Sequence, residues 1–167
     1  LLGSAPDAAL ASAIVWHDAL VSNVDRTPRN TNLLMWHGRL WLIDHGASLY
    51  FHHAPGDWTN RSQERFGLIK QHILLGQAGD LYTADADLRP KLTEKVLKGI
   101  VSALPDEWLD DDAEAERSAY VTYLLDRLAR EGRGTAEYVA PDANVEDAIG
   151  SLMGKLLGGS IFIEGLF

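Results

Sequence analysis

At 167 residues, with 46% hydrophobic and 23% charged side chains, the chain carries enough apolar material for one ordinary globular domain. A formal charge of −9 and a pI near 5.0 give it no electrostatic footprint for a nucleic-acid backbone or an anionic membrane, so neither is expected as a partner. The absence of cysteine removes disulfides and thiolate metal sites and suits a reducing compartment, which favours the cytoplasm.

No apolar run approaches the roughly 18 residues that a membrane span needs, and the first residues lack the basic start of a secretion signal. Leu1-Leu2-Gly3-Ser4 does not begin with Met, and the chain reads as a fragment or a processed piece.

Pro6-Asp7 opens a stretch in which Leu10, Ile14, His17 and Val21 recur at helical spacing, which predicts an amphipathic helix over about residues 7–22. Leu33–Trp36 and Arg39–Ile43 are rich in strand formers and flank the dipeptide His37-Gly38, the spacing of a tight hairpin. Ala47–Phe51 reads as a further short extended segment, and His52–Asn60, with Pro55-Gly56, as a loop. Beyond it the pattern is helical, over about Gln63–Leu75, Arg89–Leu104 with Pro90 in the first turn, Ala113–Glu131 and Asn144–Leu157. The expected fold is mainly α with a small β-hairpin. A domain over residues 1–149 would be followed by a glycine-rich apolar tail over 150–167, either a packed extension or an appended peptide.

Two loops carry the chemistry: Asn23-Val-Asp25-Arg26-Thr-Pro28-Arg-Asn30-Thr-Asn32 before the hairpin and Leu42-Ile-Asp44-His45-Gly46 after it. Phosphoryl transfer needs a carboxylate to orient the attacking hydroxyl and oxygen ligands to hold magnesium against the phosphates, and Asp25, Asn30 and Asp44 are of those types. A two-residue hairpin turn would bring the two loops together. Gly46 is expected to allow a sharp backbone turn beside the metal, and Pro28 to stiffen the first loop.

The combined pattern N-x-D-R-x-x-x-N, hairpin, I-D-x-G resembles the HipA-like kinases found in bacteria and, more distantly, the phosphatidylinositol kinases. The resemblance covers residues 9–53 well and the helical remainder in general character. It implies a protein-kinase-like C-terminal lobe, an ATP- and magnesium-dependent transfer, and a protein serine or threonine as acceptor. By the same likeness Asp25 matches the catalytic aspartate, and Arg26 the arginine that follows it, on the nucleotide-binding side. Asn30 matches the metal-binding asparagine, and Asp44 the aspartate of the D-F-G-type loop. Asp18, on the preceding helix, matches an acidic position that hydrogen-bonds the catalytic loop without touching substrate. His45 departs from the phenylalanine that many protein kinases carry there.

Blander readings stand beside these. A D-R-x-P-x-N string is also what a turn bonding its own backbone contains, Asp44 could cap the following turn, and Asn32 could be a second ligand or a hairpin residue. The six histidines, His52-His53 among them, lack the spacing of a transition-metal site. Trp36 and Trp41 are expected in the core rather than against a base. The carboxylates from Asp106 to Glu116 lack calcium-loop spacing and fit a solvated helix start.

A kinase also needs a glycine-rich loop and a phosphate-binding lysine upstream of the catalytic loop. All five lysines (Lys70, Lys91, Lys95, Lys98 and Lys155) follow Asp25, and no G-x-G-x-x-G occurs. The N-terminal lobe is thus expected to lie outside this chain. The alternatives are a non-catalytic kinase-like interaction module and a kinase of a lipid or small-molecule alcohol, anionic lipid being disfavoured by the acidic charge.

Overall fold

The computed structural model describes residues 5–53 and 58–139. Helix α1 (Ala8–Leu20) starts where the Asp7 carboxylate accepts the Leu10 N–H at 2.7 Å, an N-cap that satisfies one of the orphan donors of the first turn. The expected amphipathic helix is in fact buried nearly all round from Ala11 to Leu20, as a helix at the centre of a domain must be. Its alanines at 11, 13 and 19 let neighbouring elements approach closely. Its polar residues are each bonded: Ser12 Oγ donates to the Ala8 carbonyl and accepts the Gly79 N–H, and the Trp16 indole N–H donates to Asp85 at 3.0 Å.

Strands β1 (Leu33–Trp36) and β2 (Arg39–Leu42) form the expected antiparallel hairpin, with Leu33 opposite Leu42 and Trp36 opposite Arg39. His37 (φ 50°) and Gly38 (φ 73°) are both left-handed, the turn whose twist matches paired strands. Only Leu42 of the hairpin is buried. Trp36, expected in the core, is 55% exposed and packs edge-on against Trp41, which is partly buried.

The extended segment expected at Ala47–Phe51 is instead a turn running into a 3-10 helix, Tyr50–His53. Leu49 (φ 52°) donates its N–H to the Val21 carbonyl at 2.6 Å, so a bond to the end of α1 overrides the local strand preference. Phe51 then stacks on Trp58, and Trp58 on Tyr120, fastening this turn to the last helix.

A continuous helix expected over Gln63–Leu75 is replaced by three 3-10 turns, Thr59–Gln63, Gly67–Gln71 and Leu75–Gln77. Extended backbone at Glu64 and His72 separates them, and the Ile73 N–H pairs with the Arg26 carbonyl at 2.9 Å. Helix α2 (Leu81–Leu88), which the sequence reading missed, is capped by Asp80 and buries Leu81, Ala84 and Leu88 at helical spacing. The single helix expected over Arg89–Leu104 is a 3-10 turn, Arg89–Lys91, then α3 (Glu94–Val101), which Thr93 caps through its bond to the Val96 N–H.

Helix α4 (Ala113–Val139) starts as expected and runs eight residues beyond the expected end at Glu131. It packs against α1, α2 and α3. Arg127, buried within it, donates to the carbonyls of Ala19 (2.6 Å) and Glu64 (2.8 Å), so a cation sits at the C-terminal end of α1, where the helix dipole favours it. The acidic stretch is a helix start: Asp112 accepts the Ala115 N–H, Glu116 accepts the Asp110 N–H, and Asp106 pairs with Arg117. The helix expected over Asn144–Leu157 and the tail over 150–167 lie outside the described residues. Among the described residues no helix is long and apolar enough to cross a membrane.

Candidate active site

The first loop leaves α1 through Ser22 (φ 52°) and is shaped by Asn23. Buried Asn23 donates to Asp18 at 3.2 Å and accepts the Asp25 N–H at 3.1 Å, the side-chain-to-backbone bond of an Asx turn. Thr27 and Asn30 exchange backbone hydrogen bonds at 2.9 and 3.1 Å, closing a small ring that carries Pro28 and Arg29 on its exposed rim. That closure returns the chain so that the Asn30 amide donates to the Asp25 carboxylate at 2.8 Å. With its NH2 turned to Asp25, the exposed Asn30 amide keeps its oxygen as an acceptor.

Asn32 joins the two loops. Its side-chain nitrogen lies 3.3 Å from the Asp25 carboxylate, 3.4 Å from the Asp25 carbonyl and 3.4 Å from the Asp44 carbonyl. Its own carbonyl accepts the Ile43 N–H at 3.0 Å, extending the hairpin pairing by one bond. The residue is left-handed (φ 46°), a conformation that asparagine tolerates better than most. The sequence reading weighed Asn32 as a ligand or a hairpin residue; the structure makes it the bracket between the loops.

Asp44 is exposed and itself takes the left-handed turn (φ 51°) assigned beforehand to Gly46. Among the described glycines only Gly38 has positive φ, and a Cβ at Gly46 would meet Asp44 Oδ1 at an ordinary 3.5 Å. The next turn is held by the Ser48 N–H on the His45 carbonyl, and among the described residues no hydrogen bond to the Asp44 carboxylate caps it. Asn30 thus meets partly buried Asp25 side chain to side chain, while exposed Asp44 is joined to the first loop through its backbone carbonyl on Asn32.

Arg26 lies elsewhere. It is 1% exposed, with Nε on Asp18 and a terminal nitrogen on the Asn32 carbonyl, both at 2.5 Å. The position expected to contact a nucleotide is thus an internal strut, and its guanidinium ties α1 to the bracket residue. Asp18 fills the role expected of it: it does not face the open site but bonds the loop that builds it. Beyond Asn23 and Arg26 it also receives His17 at 3.2 Å and His72 at 3.0 Å. Burial works against charge on this carboxyl, yet the bonds from His17 and His72 and the nearby cations outweigh it and hold Asp18 well below the usual carboxylate range.

His72 went unnoticed in the sequence because nothing local marks it; only the fold brings it 54 positions back to Asp18. His45, in place of a phenylalanine, contacts the Leu42 carbonyl at 3.2 Å and sits edge-on to His17. Burial pushes its imidazole down, and His17 and Arg26 push the same way. No cluster of three or more histidine, aspartate or glutamate side chains suited to a metal occurs among the described residues.

The chain matches no protein-family model, no curated protein and no solved structure.

Proposed function

We propose that this chain is the C-terminal lobe of an ATP- and magnesium-dependent phosphotransferase of HipA-like type, acting on a protein serine or threonine hydroxyl. The observation that carries the reading is the bond network in which the Asn30 and Asn32 amides both donate to the Asp25 carboxylate while Asn32 also reaches the Asp44 backbone carbonyl, which sets Asp44 beside the first loop.

In this reading Asp25 orients the acceptor hydroxyl and draws its proton as the acceptor oxygen bonds to the γ-phosphorus and the phosphorus–oxygen bond to ADP breaks. The Asn30 oxygen and the Asp44 carboxylate are the hard donors that would hold magnesium, whose charge screens the transferring phosphate. Arg26, buried under the loop, contributes by fixing Asn32 rather than by touching ATP. The lysine and glycine-rich loop that bind the nucleotide belong to an N-terminal lobe upstream. A lack of cysteine and an acidic surface suit the cytoplasm, without nucleic-acid or membrane partners.

Calorimetric titration with Mg-ATP tests the proposal on this chain and on one extended upstream, each beside Asp44→Ala. Weak binding to the lobe alone, strengthened by the extension and lost with Asp44→Ala, supports it. Tight binding indifferent to Asp44 removes the metal assignment.

One observation favours a second reading, a non-catalytic interaction module: Leu34, Met35 and Trp36 are exposed side by side on β1. Retention of magnesium-dependent ATP binding separates the two readings.

A further inference from the structure

Ser22 and Val24 of the first loop form part of the wall of a pocket of about 160 Å³, which none of Asp25, Asn30, Asn32 and Asp44 lines. Its polar side holds Arg61, Arg65 and Arg127 against the single carboxylate of Glu64. In a chain of net charge −9 the pocket's charged lining is three arginines and one glutamate. Phe51, Phe66 and Tyr123 supply a flat apolar side.

The arginines are not equivalent. Arg127 is built into the framework through the Ala19 and Glu64 carbonyls. Arg61 is half-buried on the Thr59–Gln63 turn, and its guanidinium makes no hydrogen bond or ion pair among the described residues. A partly desolvated guanidinium beside aromatic faces is a fork for a carboxylate or phosphate, and a stacked ring fits the remaining wall. Ligand pockets commonly span about 300–1,000 Å³, so this one is too small for a nucleotide and suited to a compact molecule.

We propose that this pocket binds a small organic anion with a planar apolar body, its charged head on Arg61 and its ring against Phe51 and Phe66. Such a ligand would press on Ser22 and Val24, the neighbours of Asn23, whose side chain sets the Asp25 N–H. None of the residues assigned to phosphotransfer lines this pocket, and the inference does not depend on that reading.

Phenyl phosphate is the probe, titrated into the full chain and followed by amide NMR shifts, with phenol and inorganic phosphate as companion ligands. Saturable shifts at Ser22, Val24 and Leu68 are expected, with both companions binding at least about tenfold more weakly, since each lacks one half of the recognition. Arg61→Gln should weaken phenyl phosphate by about tenfold or more, as loss of a charge-assisted bond implies, while Asp44→Asn leaves it unchanged. Arg61→Lys, which keeps the charge and loses the planar fork, serves the same purpose should Arg61→Gln fail to fold. No saturable shift at these amides, equal response to phenol or to inorganic phosphate, or unchanged affinity in the arginine variant overturns the proposal.

Discussion

Asp18 and Arg26 meet in the interior at 2.5 Å, one from α1 and the other from the loop that follows, and neither side chain reaches solvent. Arg26 continues to the Asn32 carbonyl, and Asn32 spans Asp25 and Asp44. The central helix thus sets the position of two exposed loops through three side chains. Paired buried charges are tolerable only because each is bonded several times; removing one strands the other.

Asp18→Ala should therefore destabilise the fold by about 3–5 kcal/mol, the usual cost of an unpaired buried charge. Urea unfolding measures it. The double variant Asp18→Leu/Arg26→Met should recover part of the loss, because two apolar side chains leave no charge behind.

Asn32 separates backbone strain from side-chain bonding. Asn32→Gly keeps the left-handed backbone and loses the amide, whereas Asn32→Ala loses both, so alanine should be the worse by about 1 kcal/mol. Equal stabilities of the two variants in urea would count against φ as the reason for asparagine here.

Acid should act in two stages. His45, depressed by burial, resists protonation in the fold, so the stability it contributes is complete above its ordinary pKa of about 6.5 and falls away as pH drops through its lowered value. Asp18, held low, contributes stability that is complete above about 4 and is lost only as pH falls through its own depressed value. Asp85, raised by burial, runs the opposite way and blunts the second stage. Unfolding free energy measured from pH 8 to pH 3 should show both stages, and His45→Gln should abolish the first alone.

Asp44→Asn retains a side chain suited to positive φ and removes only the charge. Its stability should lie within about 0.5 kcal/mol of the parent, as for other exposed sites, while magnesium-dependent ATP binding is lost. Gly46→Ala, at a position with ordinary φ and room for a methyl group, should fold normally, which thermal unfolding would register.

What the sequence made legible was local. The Asp7 cap, the His37-Gly38 turn and the start of α4 each depend on neighbours within a few positions, and each appears where its signal stands. The failures have distant partners. Leu49 is turned by Val21, the helix expected over Gln63–Leu75 is interrupted where Ile73 and His72 reach Arg26 and Asp18, and no nearby residue announces those bonds. Helix α2 was a different miss, since its Asp80 cap and the spacing of Leu81, Ala84 and Leu88 were in plain view. At the candidate site residue types were legible and geometry was not: Asp25, Asn30 and Asp44 stood out as oxygen donors, but burial, which separates the strut Arg26 from the open edge, belongs to the fold.

The most direct test of the proposed magnesium site is paramagnetic broadening of amide NMR signals by Mn2+, a hard-cation surrogate for magnesium, in the presence of ATP. Selective loss of the Asn30, Asn32 and Asp44 signals, reversed by excess magnesium and absent in Asp44→Asn, is the expected result. Broadening confined to the carboxylates between Asp106 and Glu116, with those three signals untouched, would contradict the assignment.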